Sequence, residues 1–441
     1  MLKAGFSRID ITPPLGDDIA GYFVQRLADG VLDPLYVNTI ALQNGGDTLI
    51  LMAADCMAVM IDAINKIKAI ISERTGVPEN NILFSALHQH TATQLGGTGE
   101  NALKDTPFID VVMRKFADGA QMAIDDLREA GISTALTELA EPISFVRRYF
   151  TDDGKVKTNP NTDEIKIVGR CAEADNTVRV VRFHREGAND IALINFSTHP
   201  DVIGGNKWSA DWPGFTRRFV EEELEGVSAI FFTGTQGDTN HIDYFKPNAE
   251  RFKETPYQHS EYMGRMVADA VVSVWDKTEA QSEGALFCES RIIYNKTNTE
   301  GIEYYDDAVA YDKEYAEKST GENWGKLSIR SDKIISIAHA RRIIALRNAP
   351  IFRPIPLMVV SIGKVVIVGF GGEPFTEYSR IVKRLAPDKF TMTTINTNGY
   401  TGYYPSAEAF KQGGYEVDGS LFSPDIESQI VEAVEDMLEN I

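Results

Sequence analysis

Side chains that can bind a metal follow an apolar segment near the first quarter of this chain. His88 and His90 form a His-x-His pair directly after the apolar run 81–84, and that run predicts a short buried strand. Side chains two positions apart in a strand point to the same face, so both imidazoles are expected to reach one point beyond the sheet. Two converging neutral imidazoles are a common start of a zinc site. The alternative is one loop-capping histidine and one solvated histidine.

Other polar residues occupy the same kind of position, directly after an apolar run. They are His199, Glu373, Asp55 and Asp238. The glycines before Glu373 allow a tight turn that would expose its carboxylate in a cleft. Each residue also has an ordinary interpretation: His199 as a structural histidine, Glu373 as a carboxylate at the N-terminus of a helix. Loops at strand ends are where ligands gather in α/β folds, so the sequence predicts a site at such an edge.

Tyrosines are concentrated near the C-terminal end of the sequence. Tyr403 lies in the segment 398–405, and Tyr415 precedes Glu416. A tyrosine oxygen can bind a metal or donate a hydrogen bond to a developing oxyanion. Packing and a sugar-binding rim are the alternatives, and the spacing does not choose among them.

The elements that must position these residues alternate between strands and helices, which predicts an α/β fold. Predicted strands lie at 48–54, 81–84, 178–183, 191–196, 229–232, 358–362, 365–368 and 391–395. Predicted helices lie at 61–71, 107–130, 212–225, 261–274, 334–346, 375–385 and 426–438.

No Pro/Gly/Ser-rich linker divides the chain, so residues 1–441 are interpreted as one large domain. The segment 297–331 differs from the rest because it is acidic and lacks strong periodicity. A surface insertion is favoured for it, and a lid is the alternative.

Bulk properties restrict the partners. The formal charge is −20, with 44 basic and 64 acidic residues, and such a chain repels phosphate backbones and anionic membranes, so no nucleic-acid partner is predicted. A few cations in a cleft can still outweigh that field locally. No run has the length of a transmembrane helix, and three scattered cysteines do not indicate a disulfide framework. No leader peptide is visible, so a cytoplasmic location is expected unless a leader was removed. The oligomeric state is left open.

The motifs, taken in chain order, resemble those of the neutral/alkaline non-lysosomal ceramidases and their bacterial relatives. His-Gln-His-Thr at 88–91 is similar to the family's His-Thr-His-Ser loop, and Gly-Glu-Pro-Phe-Thr at 372–376 to its Gly-Glu-Phe-Thr segment. Further matches are the opening segments 9–14, 20–22 and 33–36, the second histidine loop at 196–199, Ser-Ala-Asp at 209–211, and the tyrosines at 403 and 415. Each motif is short, but the ordered series extends over nearly the whole chain.

The resemblance implies a catalytic domain of mixed β-sheets flanked by helices, and it implies a ligand set. A Zn²⁺ ion would be held by His88, His199, Glu373 and Tyr403. The substrate carbonyl and its oxyanion would be bound by His90, Arg147 and Tyr415. Arg148 is the other occupant of the arginine role, with a surface cation as its ordinary interpretation. Asp238 is expected to orient a ligand histidine or to act as a general base.

Two departures from the family pattern limit what the resemblance implies. The chain has Asn240 where the ceramidases carry a serine that takes part in amide cleavage, so a covalent serine mechanism is not expected here. The chain also ends too soon to include the family's immunoglobulin-like C-terminal domain. His241 is a further candidate for proton transfer to the leaving group, with a solvated loop histidine as the alternative.

The sequence thus predicts a zinc-dependent hydrolase that cleaves an amide C–N bond of a lipid or smaller N-acyl compound. Ester hydrolysis and an amidohydrolase barrel, which also begins with His-x-His, are alternative enzyme classes. A carbohydrate- or lipid-binding protein with a structural zinc, its tyrosines forming a stacking rim, is the non-enzyme alternative.

Overall fold

A computed structural model describes residues 1–97, 107–246, 255–281, 285–318, 334 and 336–441. Two β-sheets form its centre, here called the large sheet and the small sheet. The large sheet has both antiparallel and parallel neighbours. Its strands in spatial order are Val227–Thr233, Asp190–Phe196, Thr177–Arg185, Arg128–Glu138, Leu2–Asp10, Tyr36–Asn44, Asp47–Ala54 and Ile82–Ala86, with Glu279–Ala280 paired beside Arg128–Glu138.

The small sheet packs on one face of the large sheet. Its strands are Leu286–Lys296, Phe352–Ile362, Val365–Phe370 and Phe390–Thr394. Shorter pairings complete the described strands. They are Val156–Thr158 with Arg148–Thr151 and Ile167–Arg170, Lys207–Trp208 with Gly30–Val31, Thr239–Asn240 with Phe145–Val146, Glu373–Pro374 with Tyr403–Tyr404, and Ala58–Val59 with Gln94–Leu95.

The continuous apolar runs arise because central strands of the large sheet are buried on both faces. Side chains alternate along a strand. Leu49 and Leu51 therefore pack into the core shared with the small sheet, while Ile50 and Met52 pack into the core that contains helix Ile61–Thr75. One buried strand therefore contributes side chains to two hydrophobic cores, one on each face of the sheet.

Helices cover the outer faces of both sheets. The described helices are Ile61–Thr75, Pro107–Asp125, Asp211–Glu223, Pro256–Val274, Tyr305–Lys318, Ile337–Leu346, Thr376–Leu385, Ala407–Gln412, Tyr415–Asp418 and Ile426–Leu438, with 3-10 turns at Glu79–Asn81, Trp275–Lys277 and Ile302–Tyr304.

Most predicted elements are present, with shifted ends. The helix predicted over 107–130 ends at Asp125 because the chain then enters strand Arg128–Glu138. The helix predicted from 261 begins at Pro256, where Thr255 and Gln258 form a capping box. Four long strands were not predicted. They are Leu2–Asp10, Tyr36–Asn44, Arg128–Glu138 and Leu286–Lys296.

The two edge strands of the large sheet approach each other, and this approach positions the site. Thr233 Oγ1, at one edge, donates a hydrogen bond to the Leu87 carbonyl beyond the other edge, at 3.0 Å. Ser85 Oγ donates to the carbonyl of Ile395 at 2.8 Å, which joins the small sheet to the same place. Loops from three separate strands therefore meet at one point.

The structure confirms the predicted fold class, a mixed α/β architecture with sheets flanked by helices. The single-domain interpretation and the cytoplasmic location stay predictions. Part of the segment 297–331 is helical, at Tyr305–Lys318, whereas residues 319–331 lie outside the described residues. Within the described ranges, no helix combines the length and the apolar content needed to span a membrane.

Candidate active site

Three buried histidines meet where the strand ends converge. The ligand-capable nitrogens of His88, His90 and His199 lie within 4.8 Å of one another. The ring centroid of His88 lies 5.0 Å from that of His90 and 5.1 Å from that of His199. In the part of the chain that the structure describes, this is the one group of three or more His, Cys, Asp or Glu side chains placed to share a metal ion.

The backbone around His88 directs its ring into this group. The preceding strand ends at Ala86, and His88 adopts a left-handed φ of 77°, which is uncommon for a residue with a side chain. Its N–H donates to the Cys56 carbonyl at 2.9 Å, and its Nδ1 lies 2.9 Å from the Met57 carbonyl oxygen. The predicted convergence of His88 and His90 is therefore correct, but a loop produces it and not strand alternation.

His199 follows strand Asp190–Phe196, and a backbone carbonyl orients its ring as well. Its Nδ1 lies 3.1 Å from the Gln236 carbonyl oxygen, so the other nitrogen, Nε2, faces the cluster. The loop after His199 is held by the buried carboxylate of Asp211, which accepts hydrogen bonds from the N–H groups of Val202 and Ile203. A carbonyl that fixes one imidazole nitrogen leaves the other available as a metal ligand.

Glu373 completes the cluster from the small-sheet side. Its Oε2 lies 3.1 Å from His88 Nε2 and 3.4 Å from His199 Nε2. Its Oε1 accepts a hydrogen bond from the Tyr400 hydroxyl at 2.8 Å. Residues 373 and 403 are direct partners in a short parallel strand pair, so strand pairing brings Tyr403 beside the carboxylate.

His90 lies at the side of this cluster. Its Nδ1 is 3.5 Å from Asp201 Oδ1, and that oxygen accepts a hydrogen bond from the Tyr22 hydroxyl at 2.9 Å. Gly21 packs against the ring with a φ of 103°, and a Cβ at this position would come within 2.8 Å of it. The Ala-Gly-Tyr motif thus forms one wall around His90.

Arg147 and two tyrosines form another group of side chains beside the cluster. The Arg147 guanidinium donates to the Tyr403 hydroxyl at 3.1 Å and to the buried carboxylate of Glu416 at 2.8 Å. The ring of Tyr415 lies 6.0 Å from that of Tyr403. The predicted occupant of the arginine position is therefore in the site.

The electrostatics favour a neutral imidazole at His90 and at His199 and an ionised carboxylate at Glu373. Burial lowers the pKa of His88, but the charge of Glu373 more than offsets this, and the pKa is raised overall. Burial lowers the pKa of His90 and of His199 well below the usual value, and neighbouring positive charge acts in the same direction. Burial raises the pKa of Glu373, but the charge of His88 more than offsets this, and the pKa is lowered overall. Burial and the charge of Glu373 raise the pKa of Tyr403 well above the usual range. Neutral imidazole and ionised carboxylate are the forms that bind metals.

Four buried atoms of this group have no hydrogen-bond partner among the described residues. They are His199 Nε2, Glu373 Oε2 and both ring nitrogens of His90. Buried polar atoms are rarely left unpaired, and a bound ion is one explanation for an exception. Two imidazole nitrogens and a carboxylate oxygen suit a zinc-like divalent cation. The residues present therefore fit a metal.

Asp238 is held by contacts outside the histidine cluster. Its two carboxylate oxygens accept hydrogen bonds from the Thr376 backbone N–H at 2.8 Å and from the Thr376 hydroxyl at 3.1 Å. Its carbonyl accepts from the Arg147 N–H at 2.8 Å. These contacts tie it to the chain after Glu373 and to Arg147, and they do not include the ligand histidine that it was expected to orient. The alternative role of Asp238 as a general base stays a prediction.

Two further expectations are corrected. Arg148 is not a surface cation, because its side chain is buried and lies against Glu416 at 3.3 Å. His241 is not a solvated loop histidine and does not line the site: its Nδ1 is buried, and the residue lines a separate cavity that also contains His259. Asn240 Nδ2 donates to the side chain of Asn159 at 2.6 Å.

A cavity of about 530 Å³ opens onto the cluster. His88, His90, Glu373, Tyr403 and Tyr415 all line it. This volume lies within the range of sites that bind small molecules. The cavity gives a ligand direct access to His88, His90, the carboxylate and both tyrosines.

Solved structures share this architecture. The crystal structure of neutral ceramidase from Pseudomonas aeruginosa matches with a TM-score of 0.72 and 14% sequence identity, over 99% of this chain and 74% of that chain. The chain has the fold of the neutral ceramidases. A ceramidase complexed with C2 matches with a TM-score of 0.71, also at 14% identity and with the same coverage. No family model and no curated protein sequence matches this chain.

The structural likeness confirms, at the level of the fold, the resemblance that the motifs indicated. The amidohydrolase barrel is wrong, since that fold requires eight parallel strands alternating with helices, and the large sheet contains several antiparallel pairs.

Sequence reasoning missed several residues around the site. Tyr400 supports Glu373, Asp201 and Tyr22 flank His90, and Glu416 holds Arg147. Tyr400 carried a visible signal, since it lies in the same tyrosine-rich segment as Tyr403. The other contacts join positions from 68 to 269 residues apart, and no local pattern reveals them.

Proposed function

We propose that this protein is a zinc-dependent hydrolase of the amide bond of an N-acyl compound. One observation carries the proposal. His88 Nε2 and His199 Nε2 converge within 3.4 Å on a single buried oxygen of Glu373, at the wall of a ligand-sized cavity. The similarity to ceramidases supports the choice of amide substrates.

His88, His199 and Glu373 are the proposed ligands of the zinc ion, with Tyr403 as a fourth. A phenol that stays protonated, as the high pKa of Tyr403 favours, is a weak ligand, so one position stays open to exchange, as catalytic sites require. When bound, zinc supplies a Lewis acid that polarises a carbonyl and lowers the pKa of water to about 7.

Side chains around the cluster then act on the substrate. Tyr415 and Arg147 lie on one side of the cluster, and His90 lies on the other. Tyr415 is a neutral hydroxyl donor, since burial raises its pKa, and Arg147 is a permanent cation held in place by Glu416. We assign them to bind the substrate carbonyl oxygen as negative charge develops on it. Such a donor is worth about 3–4 kcal/mol when it is aimed in advance.

His90 is the proposed proton carrier on the leaving-group side. Its low pKa keeps the imidazole neutral at pH 7, so it can accept a proton from water and pass it to the departing nitrogen. Asp201, 3.5 Å from Nδ1, stabilises the transient imidazolium. Asn240 has no nucleophilic oxygen or sulfur, which favours attack by water over a covalent intermediate.

The test is hydrolysis of an amide panel and an ester panel of matched acyl chains by zinc-loaded protein and by chelated protein. We expect amide cleavage that is lost with the chelator and restored by stoichiometric zinc. Full activity in a metal-free preparation would contradict the proposal. Stoichiometric zinc uptake without turnover of any substrate would favour a binding protein with a structural zinc.

A further inference from the structure

Three arginines line the cavity away from the histidine cluster. They are Arg341, Arg342 and Arg353. The one carboxylate among the described residues that line this cavity is Glu373, which already faces His88 and His199. The cavity therefore carries an excess of positive charge, although the chain as a whole has a formal charge of −20.

The three arginines differ in how their charge is balanced. Arg341 forms an ion pair with Asp312 at 2.9 Å. Arg342 donates to the backbone carbonyl oxygens of Asn298 and Glu300, and its buried Nε has no hydrogen-bond partner within the described ranges. The carboxylates of Glu300 and Asp418 lie near enough to act on the Arg342 charge. Two of the three cations thus have nearby negative charge.

Arg353 is the exception. It lies in strand Phe352–Ile362 of the small sheet, and its buried Nε has no hydrogen-bond partner in the described part of the chain. Its guanidinium forms no ion pair there either. Burial lowers its pKa, and no carboxylate among the described residues acts against that effect. A partly buried cation without a counter-charge is destabilising unless a ligand supplies one.

Apolar side chains form another part of the lining. Phe23, Met57, Met60 and Leu421 face the same cavity. Such a lining suits an amphiphilic anion. The methylene groups of the anion can pack on the apolar side chains, while its oxygens bind the Arg353 guanidinium.

We propose that the substrate carries an anionic group, a carboxylate or a phosphate, and that Arg353 binds this group, with Arg342 in the lining of the same cavity, while the acyl chain packs on the apolar side chains. This assignment rests on the proposed function and narrows the substrate to N-acyl compounds with a negatively charged headgroup, such as N-acyl amino acids. A planar guanidinium forms two parallel hydrogen bonds to either group.

The experiment compares two substrates of the zinc-loaded protein that share an acyl chain. N-lauroylglycine carries a carboxylate, and N-lauroylethanolamine is its neutral counterpart. We expect the wild-type protein to prefer the anion. Arg353→Gln should lower kcat/KM for N-lauroylglycine by about 10- to 100-fold, mainly through KM, and change the neutral substrate by less than about 3-fold. Arg353→Lys should recover part of the loss, since a lysine restores the positive charge but not the two parallel N–H donors of the guanidinium.

Arg347→Gln is the matched control. Arg347 is exposed just beyond the end of the same helix that carries Arg341 and Arg342, and it does not line the cavity. This variant removes the same charge from the protein and should leave both substrates unchanged. An equal effect of Arg353→Gln on the two substrates, or no effect on either, would overturn the assignment while leaving amide hydrolysis intact.

A binding measurement decides the case without turnover. Calorimetry of the zinc-loaded wild type and Arg353→Gln with dodecyl phosphate and with sodium laurate should show weaker binding to the variant. The tighter of the two probes identifies phosphate or carboxylate as the preferred group. Equal affinities of both proteins for both probes would overturn the assignment, even if neither amide were hydrolysed.

Discussion

This protein contains two separate groups of histidines whose rings lie close together. The two groups differ in the residues that surround them. His88 and His199 converge on an oxygen of Glu373 at the large cavity, and His90 lies beside them. His241 and His259, with ring centroids 5.3 Å apart, line a separate cavity of about 90 Å³.

Carboxylates also line that smaller cavity, but they have other partners. Glu141 accepts a hydrogen bond from the hydroxyl of Tyr262, and Asp243 forms an ion pair with Arg170. In the large cavity, by contrast, backbone carbonyls fix two imidazoles and one carboxylate oxygen is left without a hydrogen bond. Proximity of histidines is therefore not sufficient for a metal site. Orientation and an uncommitted carboxylate distinguish the first group from the second.

The largest effect is expected from His199→Ala. This variant removes one proposed ligand, and we expect zinc content below one tenth of stoichiometric and amide hydrolysis reduced by about 10³-fold or more, since losing even an outer partner of a ligand costs about 10- to 100-fold. Zinc content by mass spectrometry and the rate of hydrolysis measure this. His241→Gln is the matched control and should retain both. Equal zinc loss in the two variants would remove the distinction between the groups.

The next effect is expected from Tyr415→Phe. The hydroxyl is a proposed oxyanion donor and not a metal ligand, so kcat should fall by about 10²- to 10³-fold while zinc content stays stoichiometric. Single-turnover rates with saturating substrate separate this from weaker binding. A change confined to KM would show that Tyr415 only binds the ground state.

Much of the fold was predictable because buried strands leave a clear record in the sequence. Runs such as that at 48–54 are apolar on both faces, so Leu49 through Met52 could be placed in a central strand without knowing its neighbours. The strands Leu2–Asp10 and Arg128–Glu138 were missed because polar side chains interrupt their apolar residues. Their identity as strands depends on the partners they pair with.

The site was predictable only in part, for a related physical reason. His88 and His90 were recognised from spacing, yet their convergence depends on a left-handed residue after the strand has ended. The unbalanced charge of Arg353 depends on which carboxylates the fold brings near it, and spacing along the chain contains no such information.

A smaller effect is expected from Tyr400→Phe. This variant removes the hydrogen bond to Glu373 Oε1 and leaves the other proposed ligands in place. Zinc affinity, measured by competition with a chromophoric chelator, should fall by about 10- to 100-fold, which is typical for loss of an outer partner of a metal ligand. Excess zinc should restore most of the activity. Loss of activity that zinc does not restore would instead assign Tyr400 to substrate binding.

The smallest effect is expected in the pH dependence of stability, and it concerns the group formed by His241 and His259. Burial, together with the charge of His259, lowers the pKa of His241 to about 3, against about 6.5 for an exposed histidine. Between these values the unfolded chain binds a proton that the folded protein excludes, so stability must decrease as the pH falls from about 6.5 toward 3. Between pH 7 and pH 4.5, the free energy of unfolding of His241→Gln, measured with urea, should therefore decrease by about 1–3 kcal/mol less than that of the wild type.

His184→Gln, which alters a histidine that is 70% exposed at its side chain, should follow the wild-type slope to within the small contribution of a surface ion pair. Identical slopes for wild type and His241→Gln would mean that His241 accepts a proton in the folded state, and the contrast between the two histidine groups would then lie in their geometry alone.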